Sequence, residues 1–175
     1  MNSVNKVVRG YGMSAKDKKV ERIPLKPDEL AKMLDKTTWG NDLTWDELIT
    51  LGKFIQAFKV KINTVLFAEG QLNQTMAILV EGSAEIFKYS ADNQKKSIAR
   101  VKSPQTFGEM SLIDGQPRSA EVIAATNCVC LLLSKDKFLE MSELQPKLAF
   151  KILWKISSLM SQRLRQVSGQ LVDLV

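Results

Sequence analysis

The stretch Phe107–Val122, FGEMSLIDGQPRSAEV, sets Glu109 and Arg118 close together among apolar and turn-forming residues. A Gly-Glu pair that opens a short helical turn, here GEMSL, exposes backbone N–H groups, and such groups attract anions, phosphate especially. Arg118 adds a planar fork of donors that matches phosphate oxygens. Glu109 would repel phosphate, but a carboxylate accepts well from a sugar hydroxyl. Together the two suit a ligand carrying both a phosphate and a ribose hydroxyl. They could equally pair with each other and tie the loop, since Glu–Arg pairs are common and one Gly-Glu turn is a weak motif. The residue types alone leave both readings open.

Elements on either side must position this stretch. KPDELAKMLDKT reads as a short helix starting after Pro27, with Leu30, Met33 and Leu34 on one face. LTWDELITLGKFIQAF reads as a second helix, opened by the capping box Thr44/Glu47 and continued at helical spacing through Leu48, Leu51, Ile55 and Phe58. After Lys61 the pattern changes. TVLFAEG, TMAILVEGSAEIFKYS, KSIARVKS and SAEVIAATNCVCLLLS are short β-rich runs punctuated by Gly70, Gly82 and Gly115. Strands at this spacing suggest a sandwich or barrel, and the glutamate–arginine stretch falls between two of them. Helical periodicity returns at KDKFLEM and runs from Pro146 onward. The order helices, strands, helices makes an α+β chain. Four parts are expected: a flexible N-terminal segment, 1–26, mobile or loosely docked; N-terminal helices, 27–60; a β-roll, 61–146, holding the cassette 107–122; and a C-terminal lid or dimerisation helix, 147–175.

The composition sets limits. The chain has 175 residues, 45% hydrophobic and 25% charged, enough for one domain with a real core. Its net charge of +6 is compatible with an anionic ligand, yet weaker than the dense basic patches of nucleic-acid binders. Cys128 and Cys130 alternate on one predicted strand, where a disulfide is geometrically poor. With no histidine in the chain they cannot complete a usual zinc site, so no metal is expected. They read as reduced core thiols of a cytoplasmic protein. No apolar run is long enough to span a membrane, and there is no signal peptide.

Taken together, FGEMSLIDGQPRSAEVIA resembles the phosphate-binding cassette of cyclic nucleotide-binding domains, the fold of catabolite activators and of protein kinase A regulatory subunits. VLFAEGQLNQTMAILVEGSAEIFK resembles that family's strand–turn–strand with its structural glycines, here Gly70 and Gly82, and LLLSKDKFLEM its last strand and following helix. The resemblance implies an antiparallel β-roll (a double-stranded β-helix or jelly roll) flanked by N-terminal helices and a long C-terminal helix. It implies that Glu109 accepts from the ribose 2′-hydroxyl, that Arg118 neutralises the cyclic phosphate, that Gly108 lets the backbone approach, and that N–H groups near Met110, Ser119 and Ala120 complete the cradle. The expected ligand is cAMP rather than cGMP, because serine at position 119 accompanies cAMP-binding activators; a cyclic dinucleotide is a further alternative.

The last helix carries two apolar stripes. Ile152, Ile156 and Leu159 are assigned to packing on the β-roll. Leu153, Ser157, Met160, Leu164, Val167, Leu171 and Leu174 repeat at alternating 4 and 3 spacing, a heptad seam. The resemblance implies a parallel homodimer along this seam, with Arg163 and Ser168 as candidates to meet the nucleotide base. No nucleophile–base pair involving histidine is possible, so the chain is expected to bind rather than catalyse. No helix-turn-helix is recognised after the long helix. The expectation is therefore a stand-alone sensor that signals through its helix and dimer geometry to an effector protein not named by the sequence. The alternatives are a DNA-binding regulator of the activator type and a dimeric adapter with a degenerate pocket.

Overall fold

The computed structural model describes residues 19–172, with side chains through Gly169. They form two compact units, divided between Lys137 and Phe138. The first unit opens with strand β1 (Val20–Ile23), followed by helices α1 (Pro27–Asp35) and α2 (Trp45–Gly52). Strands β2 (Gln56–Val60), β3 (Val65–Phe67), β4 (Thr75–Glu81), β5 (Ser83–Tyr89), β6 (Lys95–Lys102) and β7 (Thr106–Phe107) come next. A short helix, α3 (Glu109–Asp114), precedes β8 (Glu121–Ala124) and β9 (Cys128–Ser134). Helix α4 (Lys135–Leu144) leads out of the first unit, and the long α5 (Pro146–Val172) makes up most of the second.

All strand pairs are antiparallel, in a five-stranded sheet ordered β1-β2-β9-β4-β7 and a four-stranded sheet ordered β3-β8-β5-β6. The chain is thus α+β, an antiparallel β-roll with helices before it and a long helix after it. The sheets share one core, in which Phe58, Ala77, Leu79, Cys130 and Leu132 meet Leu66, Phe67, Ala84, Val122 and Ala124. Strands β4 and β9 lie inside the first sheet and read as nearly continuous apolar runs, TMAILVE and CVCLLLS, because both of their faces are covered. Strand β6 ends the second sheet, and its exposed residues include Lys95, Lys96, Arg100 and Lys102, charges that discourage further pairing at a free edge. Gly82 makes the tight β4–β5 turn at φ 88°, where a Cβ would run into the carbonyl of Asn127.

Two sequence expectations are corrected. The second helix keeps its capping box, with Glu47 N donating to Thr44 Oγ1 at 3.4 Å and Thr44 N to Glu47 Oε2 at 2.9 Å, but it stops at Gly52. Ile55 and Phe58, placed on that helix by their spacing, lie beyond it, and Phe58 sits in β2 opposite Cys130. Pairing of β2 with both β1 and β9 outweighs the local helical period, so the β-rich part begins at Gln56. The flexible segment expected through Lys26 also contains a strand. Val20 is buried opposite Val60, and β1 pairs through Ile23 with Ala57. Residues 1–18 of that expected segment lie outside the described residues.

The two thiols sit where the sequence put them, on one strand and both buried and free. Burial pushes both above the ordinary thiol pKa, so they are protonated at neutral pH. Among the described residues no helix is long and apolar enough to cross a membrane, and no group of acidic or sulfur side chains could hold a metal ion.

Candidate functional site

Helix α3 is bounded by two left-handed glycines, Gly108 at φ 78° and Gly115 at φ 72°. The first turns the chain from β7 straight into Glu109. A Cβ at Gly108 would lie 2.7 Å from Arg118 Nη1, 2.7 Å from Phe67 Cε2 and 3.1 Å from the Thr75 carbonyl. Gly108 is therefore required twice, by its conformation and by the close approach of the guanidinium.

Glu109 and Arg118 are each only 4% exposed. The Arg118 guanidinium lies on the Phe67 ring, 3.6 Å from its centroid, and Phe67 in turn packs against Phe107 with centroids 5.5 Å apart. Nη1 donates to the Gly108 carbonyl at 2.8 Å, while Nη2 donates to Asn73 Oδ1 at 2.9 Å and to the Thr75 carbonyl at 2.6 Å. Nε is buried and has no hydrogen-bond partner among the described residues. Burial lowers the Arg118 pKa to about 10, and the nearby Glu109 charge partly offsets that fall. The group stays cationic at neutral pH, buried beside the Glu109 carboxylate.

The loop after α3 is anchored on the other side. Arg118 N donates to the Gln71 carbonyl at 3.0 Å, and Gly70 N donates to the Arg118 carbonyl at 2.8 Å. Ser119 is exposed, with its hydroxyl 3.8 Å from Met110 Sδ, and Met110 is exposed as well. Ala120 is half-buried and leads into β8. The structure thus brings together Gly108, Glu109, Met110, Arg118, Ser119 and Ala120 around one turn of helix. A buried cation and a buried carboxylate lie beneath an exposed rim of small and backbone groups.

Arg163 and Ser168 belong to the second unit. Both lie on α5, where Arg163 is half-buried and Ser168 Oγ donates to the Leu164 carbonyl at 2.9 Å. On the same helix Ile152 and Ile156 are buried and Leu159 half-buried. Of the heptad residues, Leu153, Leu164 and Val167 are exposed and Met160 half-buried; Leu174 and the side chain of Leu171 lie outside the described residues.

Several participants escaped the sequence. Asn73, Thr75 and Phe67 hold Arg118 from more than forty positions away, a pairing with no local signal. Lys88 on β5 reaches the same loop, its Nζ donating to the Ser119 carbonyl at 3.1 Å. On α5, Phe150 and Trp154 are 64% and 67% exposed, with ring centroids 6.1 Å apart. They begin a second register at 4 and 3 spacing, continued by Ser157, Ser161, Leu164 and Ser168.

Residues 57–144 match the cyclic nucleotide-binding domain family. The chain is 27% identical over 106 residues to the cyclic AMP receptor protein of Thermus thermophilus, covering 61% of this chain and 47% of that protein. It is 28% identical over 123 residues to a cAMP-dependent protein kinase regulatory subunit of Aspergillus niger, covering 68% of this chain and 25% of that subunit. The chain thus spans about half or less of these curated relatives. Among solved structures, a cyclic nucleotide-binding domain from Methylobacillus flagellatus superposes with a TM-score of 0.81 at 22% identity over 93% of both chains, a likeness of fold.

Proposed function

The chain belongs to the cyclic nucleotide-binding domain family, and from that premise we propose that it is a cyclic nucleotide sensor, cAMP being preferred over cGMP. The observation that carries this reading is the joint burial of Glu109 and Arg118 around one glycine-bounded turn, below the exposed Met110–Ser119 rim. Arg118 keeps a buried Nε with no hydrogen-bond partner among the described residues, a donor that a loop tie would use and that an anion can take. A cyclic phosphate at the rim would be drawn by the Arg118 charge and by the N–H groups of Met110, Ser119 and Ala120, and the ribose 2′-hydroxyl would donate to the Glu109 carboxylate.

In this reading the chemistry is recognition, with no covalent step and no metal. The output passes to an effector protein through α5, which serves as dimerisation helix and lid, with Arg163 and Ser168 as its candidates to meet the base. The exposed apolar residues of α5 support pairing with a second copy. The buried free thiols support a reducing, cytoplasmic setting.

Thermal melts with cAMP, cGMP and linear AMP test the proposal. A ligand at a hundred times its dissociation constant adds about 2.7 kcal/mol of stability. A clear upward shift with cAMP, a smaller one with cGMP and none with linear AMP is expected. No shift with either cyclic nucleotide would refute it.

A further inference from the structure

Three of the five Arg118 donors are committed to the protein. Both Nη2 hydrogens are taken by Asn73 Oδ1 and the Thr75 carbonyl, and one Nη1 hydrogen by Gly108. The plane itself is held by the Phe67 ring. A guanidinium has five N–H donors, and the pair that would grip one phosphate side-on includes an Nη2 hydrogen that is already engaged. Two donors remain for an anion, the unpartnered Nε–H and one Nη1 hydrogen, beside the charge itself.

A second cation stands at the rim. The β5–β8 register places Phe87 opposite Glu121, so Lys88 comes alongside the end of the cassette, and its ammonium donates to the Ser119 carbonyl at 3.1 Å. The acidic groups around it are otherwise engaged. Glu121 pairs with Lys95, which also lies over the Phe87 ring. Glu69 Oε2 accepts from Tyr89 N, and Glu109 is buried beside Arg118. Lys88 thus keeps an exposed ammonium on a flexible stem, resting on a neutral carbonyl of the residue that forms the rim.

We infer that Lys88 is a further ligand-binding residue of the site. Its ammonium swings from the Ser119 carbonyl to a phosphate oxygen of the bound nucleotide, and it adds a mobile contact to those of Arg118. The inference rests on the nucleotide-sensor reading and goes beyond it, since the cassette sequence contains no such lysine.

Titration calorimetry of cAMP into the full chain, at low and high salt, tests it with wild type, Lys88→Gln and Lys88→Arg. Lys88→Gln is expected to weaken cAMP about tenfold at low salt, as for one charge-assisted hydrogen bond. The loss should narrow at about 0.5 M salt, the melting temperature without ligand should be unchanged, and Lys88→Arg should retain most of the affinity. Equal affinity of Lys88→Gln and wild type would overturn the assignment while leaving the sensor reading intact. So would a loss that does not change with salt, because that marks a structural role. A wild type that binds neither cAMP nor cGMP would sink the sensor reading and this assignment with it.

Discussion

Replacing Gly108 with alanine probes the contact on which the site is built. Two penalties are separable. An alanine held at φ 78° costs about 1 kcal/mol for its left-handed backbone. Its Cβ would also stand 2.7 Å from both Arg118 Nη1 and Phe67 Cε2, and neither neighbour is the loose end of an exposed side chain, since both residues are buried. Moving the guanidinium away breaks its bond to the Gly108 carbonyl, a charge-assisted hydrogen bond of about 1.5–3 kcal/mol. The total is about 3 kcal/mol of stability, together with most of the cAMP affinity. Gly70 is the matched control. Its φ is 76°, a Cβ there meets nothing within 4 Å, and its N–H bond to the Arg118 carbonyl survives substitution. Gly70→Ala should lose only the backbone penalty, about 1 kcal/mol. Urea denaturation of both variants, with unchanged slope, gives the difference. Equal losses in the two would show that the approach of Arg118 to Gly108 contributes nothing, and the reasoning about the site would fail.

Arg118→Lys should lose most of the cAMP affinity, on the order of 2–5 kcal/mol by calorimetry, because a point charge cannot hold Asn73, Thr75 and Gly108 together and still face the ligand; unchanged affinity would make Arg118 a loop tie. For Lys88→Gln, which lacks the rim ammonium, affinity should be flat from about pH 6 to 9 and fall as pH rises through about 10, since an anion favours the protonated guanidinium and that proton is lost there; a fall confined to lower pH would point to another group. Ser119→Thr should shift preference toward cGMP in a competition titration, through a stiffer hydroxyl on the exposed rim, and a native preference for cGMP would contradict the selectivity assigned to serine. Leu164 is common to both heptad registers of α5, so Leu164→Glu should weaken the dimer by about 2 kcal/mol or more in light scattering; Trp154→Glu should weaken it as well, and wild-type dimerisation of both variants would exclude a seam on this face.

Local chemistry was legible wherever a residue's role is decided by near neighbours. The Thr44/Glu47 box, the break between β4 and β5 at Gly82 and the cassette turn are of this kind, and each stands where the sequence put it. Legibility ended where a distant strand decides. Phe58 follows the helical period of LTWDELITLGKFIQAF, yet pairing with Cys130, seventy-two positions on, draws it into a sheet. Val20 looked like part of a mobile tail because its partner Val60 lies across the first two helices. In the site, residue types singled out Glu109 and Arg118 but left a loop tie open, and the ligand roles came from the family resemblance. The shell that fixes Arg118, Phe67 with Asn73 and Thr75, comes from β3, the loop that follows it and the first residue of β4, and becomes visible only once the sheets are folded. Lys88 was hidden for the same reason, as one lysine among many until the β5–β8 register places it beside Ser119.

A crystal structure of the full chain grown with cAMP tests the central claim most directly. The account places the cyclic phosphate against the Arg118–Ala120 segment, the ribose 2′-hydroxyl within hydrogen-bond distance of Glu109 and the Lys88 ammonium on a phosphate oxygen. Nucleotide bound elsewhere on the chain, or a cassette left empty at saturating cAMP, would contradict it.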